Sequence, residues 1–240
     1  MTRKTLKKVS GGLIVLGLLV LLFPFFLFGY SKAMSNALRE EAESSYNVEN
    51  SPENPVQELT AYIISEKDKS SDTGETIPAH EEYQTGLYPE PAPELIVQPK
   101  NGEVIGMLTI PNLGINEAIL EGTGQKELAK APGHLPDSVF PGQIGTSIIA
   151  AHNSSTFRQL DQLEEGMEFS VTTEQGVFTF SVTGQQILNV NDTLPNMAYP
   201  AIALETCYPL DALYLTDKRL FVEASLIKSE LKPKQKESLN

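Results

Sequence analysis

A single cysteine, Cys207, stands among 240 residues. With no second cysteine an internal disulfide is impossible. The thiol is therefore a partner for another chain, an inert buried group or a reactive one. It ends the apolar run AIALETC and is followed by the turn-like YPLD. His152 ends another such run, TSIIAAH, before the polar loop NSST, and Arg219 opens a third, RLFVEAS. Strand ends are where loops carry function on a rigid scaffold.

Those three residue types suit thiol chemistry. The thiolate is the reactive form, and an ordinary cysteine ionises only near pH ~8.5. A neighbouring imidazolium or guanidinium favours the thiolate, and an imidazole can pass a proton to a leaving amine. A guanidinium can hold a carbonyl or the oxyanion formed from it. Each residue also has a plainer reading. A free cysteine serves as a small buried hydrophobe, His152 as a core-edge histidine, and Arg219 as a solvated neighbour of Lys218. His134, in APGHLP, competes with His152 for the role of base, whereas His80 lies in a polar tract. Spacing alone does not bring any of them together.

The elements that must position them begin near Val104. IGMLTIP, GINEAILEG, TSIIAAH, MEFSVTT, GVFTFSVTG, QILNVN, AIALETC and RLFVEASL are short apolar or alternating runs. In VFTFSVT, Phe178, Phe180 and Val182 share one face while Val177, Thr179, Ser181 and Thr183 share the other, the period of a half-buried strand. Glu174–Gly176 reads as a hairpin turn between two runs. Two helices are expected, over Gly124–Ala131 and Thr156–Gly166. In the second, Phe157, Leu160 and Leu163 recur, Thr156 and Gln159 fit a capping box, and Gly166 fits a stop. Eight strands with few helices predict a mainly β fold, a single closed antiparallel barrel.

The first thirty residues are not part of that barrel. Arg3, Lys4, Lys7 and Lys8 precede an uncharged run from Gly11 to Tyr30, and about 20 such residues span a bilayer. Basic residues on its N-terminal side predict the N-terminus inside and the rest outside. A cleaved signal peptide is the rival reading, with Ala33 and Ala37 just downstream. From Ala33 to Lys100 the chain is rich in Glu, Ser, Pro and Asn, the composition of an extended stalk, with LTAYIISE as one short apolar patch. The expected plan is an anchor over 1–30, an acidic stalk over 31–102, a barrel over 103–228 and a polar tail over 229–240.

Four of the 18 basic residues and none of the 31 acidic ones lie in the first thirty positions, so the exported part carries a net charge of about −17. Nucleic acid would be repelled by it. Three scattered histidines and one cysteine offer no metal-ligand spacing, and no cofactor is expected.

GMLTIPNLGINEAILEGTGQKELAKAPGHLPDSVFPGQIGTSIIAAHNSSTFRQLDQLEEG resembles the first half of a sortase domain, and ALETCYP followed by KRLFVEA resembles the second. The resemblance covers Glu103 to Leu226. It implies an eight-stranded sortase barrel with Cys207 as nucleophile, His152 as catalytic histidine and Arg219 as catalytic arginine. Thr206 matches a threonine used near the oxyanion, and His134 a recurring position that is not the base. Asn153 stands where many relatives have Arg, and Ala203 where a threonine is common. The Cys-Tyr-Pro continuation and single N-terminal anchor look most like class D-type or related sortases. The implied activity is transpeptidation of an LPxTG-like sorting signal on exported proteins to an amine of a cell-wall precursor. A thiol hydrolase and a non-catalytic tethered barrel are the alternatives. The stretch Tyr83–Tyr88 is a candidate lid.

Overall fold

The computed structural model describes residues 3–46, 88–212, 214 and 216–232. LTAYIISE, His80, residues 83–87 of the candidate lid and the tail beyond Lys232 lie outside them.

Among the described residues, eight strands follow a long helix, α1 (Arg3–Tyr46). They are β1 (Val104–Ile110), β2 (Ile115–Glu121), β3 (Gly133–His134), β4 (Gly145–Ala150), β5 (Glu168–Thr173), β6 (Gly176–Asn189), β7 (Pro200–Tyr208) and β8 (Lys218–Leu231). They close into one barrel in the order β1-β2-β3-β4-β7-β8-β6-β5. Alternation along each strand sends one set of side chains inward. Leu108, Ile119, Ile149, Phe180, Leu204 and Val222, one from each of six strands, are all fully buried in the common core.

The count of eight is as expected, but its composition is not. GVFTFSVTG and QILNVN form one bent strand, β6, whose pairing with β8 shifts register twice, at Thr179/Phe180 and Val182/Gly184. Such bulges let one strand turn a barrel corner without breaking. The place of the lost strand is taken by β3, two residues long. The barrel is also not wholly antiparallel, because β2–β3 and β4–β7 are parallel pairs. The β5–β6 hairpin turns where Glu174–Gly176 was expected to turn it.

The expected helix over Thr156–Gly166 is not an α-helix. Its only helical part is a single 3-10 turn, Leu160–Gln162. Hydrogen bonds run from Arg158 N to Ser155 O, Leu160 N to Phe157 O and Leu163 N to Leu160 O, each three residues apart. The apolar residues explain it: Phe157, Leu160 and Leu163 repeat every three, the period of a 3-10 coil, and all three are fully buried. Gln159 makes no side-chain cap. Gly166, at φ 85°, reverses the chain into β5. The other expected helix is confined to α2 (Gln125–Leu128).

Helix α1 continues past the apolar run into the region expected to be stalk. Leu38, Ala42 and Tyr46, spaced four apart on one helical stripe, pack on the outer face of β1 and β2 against Val104, Met107 and Ala118. Ala42 is fully buried there. Ser35 Oγ donates to Glu117 at 2.6 Å and Tyr46 Oη to Val104 O at 2.9 Å. Farther along, residues 88–100 strap the barrel. Ala92 N donates to Gly142 O, and Gln143 and Gln175 both donate to Pro93 O. Tyr88, the described end of the candidate lid, stacks on Tyr199 with centroids 4.4 Å apart. Tyr199 precedes β7, so this contact lies at the opposite end of that strand from Cys207.

Candidate active site

The outer face of β7 carries Ala201, Ala203, Glu205 and Cys207, because Ile202 and Leu204 on the alternate positions belong to the core. Cys207 is half-buried and free. On β8 its partner across the ladder is Arg219, and directly opposed residues hold their Cβ atoms roughly 5 Å apart. On the other side β4 runs parallel to β7, in unbroken register from Gly145↔Pro200 to Ala150↔Glu205. The pairing continues beyond the strand, since Ala151 N donates to Glu205 O at 3.0 Å. One further step of the same register would set His152 level with Cys207. The parallel pair thus carries both residues to the same rim, with Arg219 on the far side of the thiol.

The remaining expected residues find different places. Thr206 points inward and is buried; its hydroxyl donates to Ala151 O at 2.8 Å. It ties β7 to β4 one residue short of both Cys207 and His152. His134 is fully buried. Its Nδ1 lies 2.9 Å from a carboxylate oxygen of Glu121, and its Nε2 3.0 Å from Val139 O and 3.1 Å from Ser138 Oγ. On β3 it pairs with Ile149, which pairs in turn with Leu204, three residues before Cys207. Both nitrogens are committed, and the ring is a structural pin.

His152 is fixed through its backbone, its carbonyl accepting from Ser155 N and Phe157 N at 3.2 Å each. The following residue is one the sequence marked only as a departure. Asn153 is buried, and its amide Nδ2 reaches three carbonyls of the loop after Cys207, those of Pro209, Leu210 and Ala212, at 3.2–3.3 Å. It fastens the histidine's turn to the cysteine's turn. The signal available was the Asn type itself, since an amide with two donors suits a cluster of carbonyls. Asn153→Ala strands those carbonyls and is expected to destabilise the fold by about 1–3 kcal/mol, seen as a lower melting temperature.

Charge at the rim is balanced. Arg219 Nε lies 3.4 Å from Glu205 Oε1, while Nη1 donates to Thr216 O at 2.8 Å and Lys218 O at 2.9 Å. Burial pushes the Glu205 carboxyl above its ordinary value, partly offset by the Arg219 charge. Glu205 is the second residue that sequence reasoning passed over.

A closed eight-stranded barrel bearing a free thiol, a histidine and an arginine along one rim defines a class of thiol-bearing β-barrel proteins. The sortase domain family model matches residues 108–227, half of the chain, and the chain belongs to the sortase family. It is 29% identical over 128 residues to Sortase D of Bacillus subtilis, covering 52% of this chain and 65% of that protein. It is 26% identical over 142 residues to Sortase A of Streptococcus agalactiae, covering 54% and 55%. The chain thus spans under two thirds of the length of these two relatives. Among solved structures, the SrtA sortase from Actinomyces oris superposes with a TM-score of 0.51 at 30% identity, over 62% of this chain and 95% of that one.

Proposed function

We propose that the chain is a membrane-anchored cysteine transpeptidase, with Cys207 as nucleophile, His152 as acid and base, and Arg219 as oxyanion donor. The observation that supports this reading is the β7–β8 ladder that pairs Cys207 with Arg219, together with the parallel β4–β7 register, whose continuation past Ala150↔Glu205 would bring His152 level with Cys207.

The thiolate of Cys207 attacks a backbone carbonyl in an LPxTG-like sorting signal of an exported protein. The carbonyl π pair moves onto oxygen, and the oxyanion is met by Arg219. His152 gives its proton to the departing amine, leaving a thioester on Cys207. An amine of a cell-wall precursor then attacks the thioester. His152 takes its proton and the thiolate leaves, forming a new amide. Thr206, whose hydroxyl ties β7 to β4 beside the nucleophile, is the residue expected near the oxyanion. The Sortase D likeness and the Cys-Tyr-Pro continuation favour class D.

Anchoring rests on α1. Among the described residues no helix carries a stretch long and apolar enough to cross a membrane. The basic cluster at Arg3–Lys8 and the uncharged run to Tyr30 support a single span with the barrel outside. Bulky apolar side chains between Leu16 and Tyr30, such as Leu21 at 68% and Phe26 at 70%, are exposed in α1. Water does not favour such a surface, and lipid does.

Incubating the full-length protein with an LPxTG-type peptide should add the acyl mass to the Cys207 peptide. Adding an amine should convert that adduct to an amide product. An adduct that yields only hydrolysed peptide identifies a thiol hydrolase, and no adduct at all overturns the reading in favour of a binding barrel.

A further inference from the structure

Glu205 stands where the sorting chemistry has no evident use for a carboxylate. It shares the outer face of β7 with Cys207, two residues before it, about 7 Å along the strand. Its ladder partner is Phe221, so Arg219, the ladder partner of Cys207, reaches it diagonally. The pair is shielded, with side chains 24% and 19% exposed. Open surface pairs contribute little, but shielding strengthens the field that this one exerts on its neighbours.

A guanidinium has five N–H donors on three nitrogens. In Arg219, Nε faces the Glu205 carboxylate and Nη1 is spent on two backbone carbonyls, those of Thr216 and Lys218. Among the described residues nothing accepts from Nη2, which leaves that nitrogen for an incoming oxygen. We propose that Glu205 is a positioning residue for Arg219. It holds the Nε edge against β7 so that the Nη2 edge is presented to the substrate oxygen, and it masks the arginine's charge from Cys207 in the resting enzyme. This rests on the transpeptidase reading for the substrate oxygen; the masking of Cys207 does not.

Among the described residues, the titratable groups at neighbouring positions of the flanking strands are Cys207 on β7 and Lys218, Arg219 and Glu223 on β8, with His152 beyond the end of β4. Across β8, β6 presents Leu188 and Gln186, which do not titrate, opposite Arg219 and Phe221. The tether needs an ionised Glu205. Burial raises that carboxyl, so the tether is intact above the raised value and is lost as pH falls through it.

Glu205→Gln in the full-length protein in detergent micelles is the test. It should lower kcat about tenfold or more with KM changed less than about threefold, as misplacing an oriented group does. It should also abolish the acid-side loss of kcat caused by Glu205. Without substrate, Cys207 should react with iodoacetamide roughly three- to tenfold faster at pH 7, because the Arg219 charge is no longer masked. Near-ultraviolet circular dichroism should stay that of the wild type, and Glu205→Asp, which keeps the charge, should keep alkylation slow. Wild-type alkylation and an unchanged acid limb in Glu205→Gln overturn the proposal. Alkylation needs no sorting signal, so its outcome is separate from success or failure of the peptide adduct experiment.

Discussion

Cys207→Ala is expected to abolish acyl transfer, by at least ~10⁴-fold, with the barrel intact. A nucleophile that forms the covalent intermediate has no substitute, and removing such a group costs as much as removing the whole constellation. The side chain lies on the outer face of β7, half-buried and outside the core cluster. Losing one sulfur there should move the melting temperature by no more than about 3 °C. Turnover of a labelled peptide, read beside a thermal melt, checks both. Residual transfer above ~1% of wild type would mean that another group attacks the carbonyl.

The second large effect separates two histidines of one barrel. His152→Ala should lower turnover by about 10²–10⁴-fold, the range for general acid–base catalysis, with little change in melting. His134→Ala should do the reverse. It leaves Glu121, 4% exposed, without its partner, and breaking such a buried pair costs about 2–5 kcal/mol. Melting should fall by about 10 °C or more in a domain of this size, while whatever remains folded turns over. Loss of turnover in His134→Ala at a wild-type melting temperature, with His152→Ala active, would exchange their roles.

Much of this was legible in the sequence because it is local. Alternation in VFTFSVT marks a strand whatever its neighbours do, and the hairpin turn after β5 falls where a glycine ends a polar pair. The three candidate residues could be found at strand ends for the same reason. What was not legible is what depends on pairing. Nothing in TSIIAAH says that it lies parallel to AIALETC, and an eight-run count does not say which runs fuse. Phe157, Leu160 and Leu163 recur every three residues, and only their common burial in the core shows that this is the strict period of the tighter coil. Thr206 could be placed beside the cysteine by adjacency, but only the pleat shows that it faces inward. Asn153 and Glu205 act on residues more than ten positions away, on β8 or the loop before it, so no local pattern announces them.

The β4–β7 pairing also decides when the protein becomes chemically competent. Parallel neighbours cannot be joined by a tight turn; between them the chain must first lay down β5 and β6. β7 then pairs with β4, and β8, which carries Arg219, fills the place between β7 and β6 and closes the barrel. Until β8 is in place Cys207 lacks Arg219 across the ladder, and its thiol is an ordinary one. The thiol and the residues expected to serve it come together only as the barrel closes.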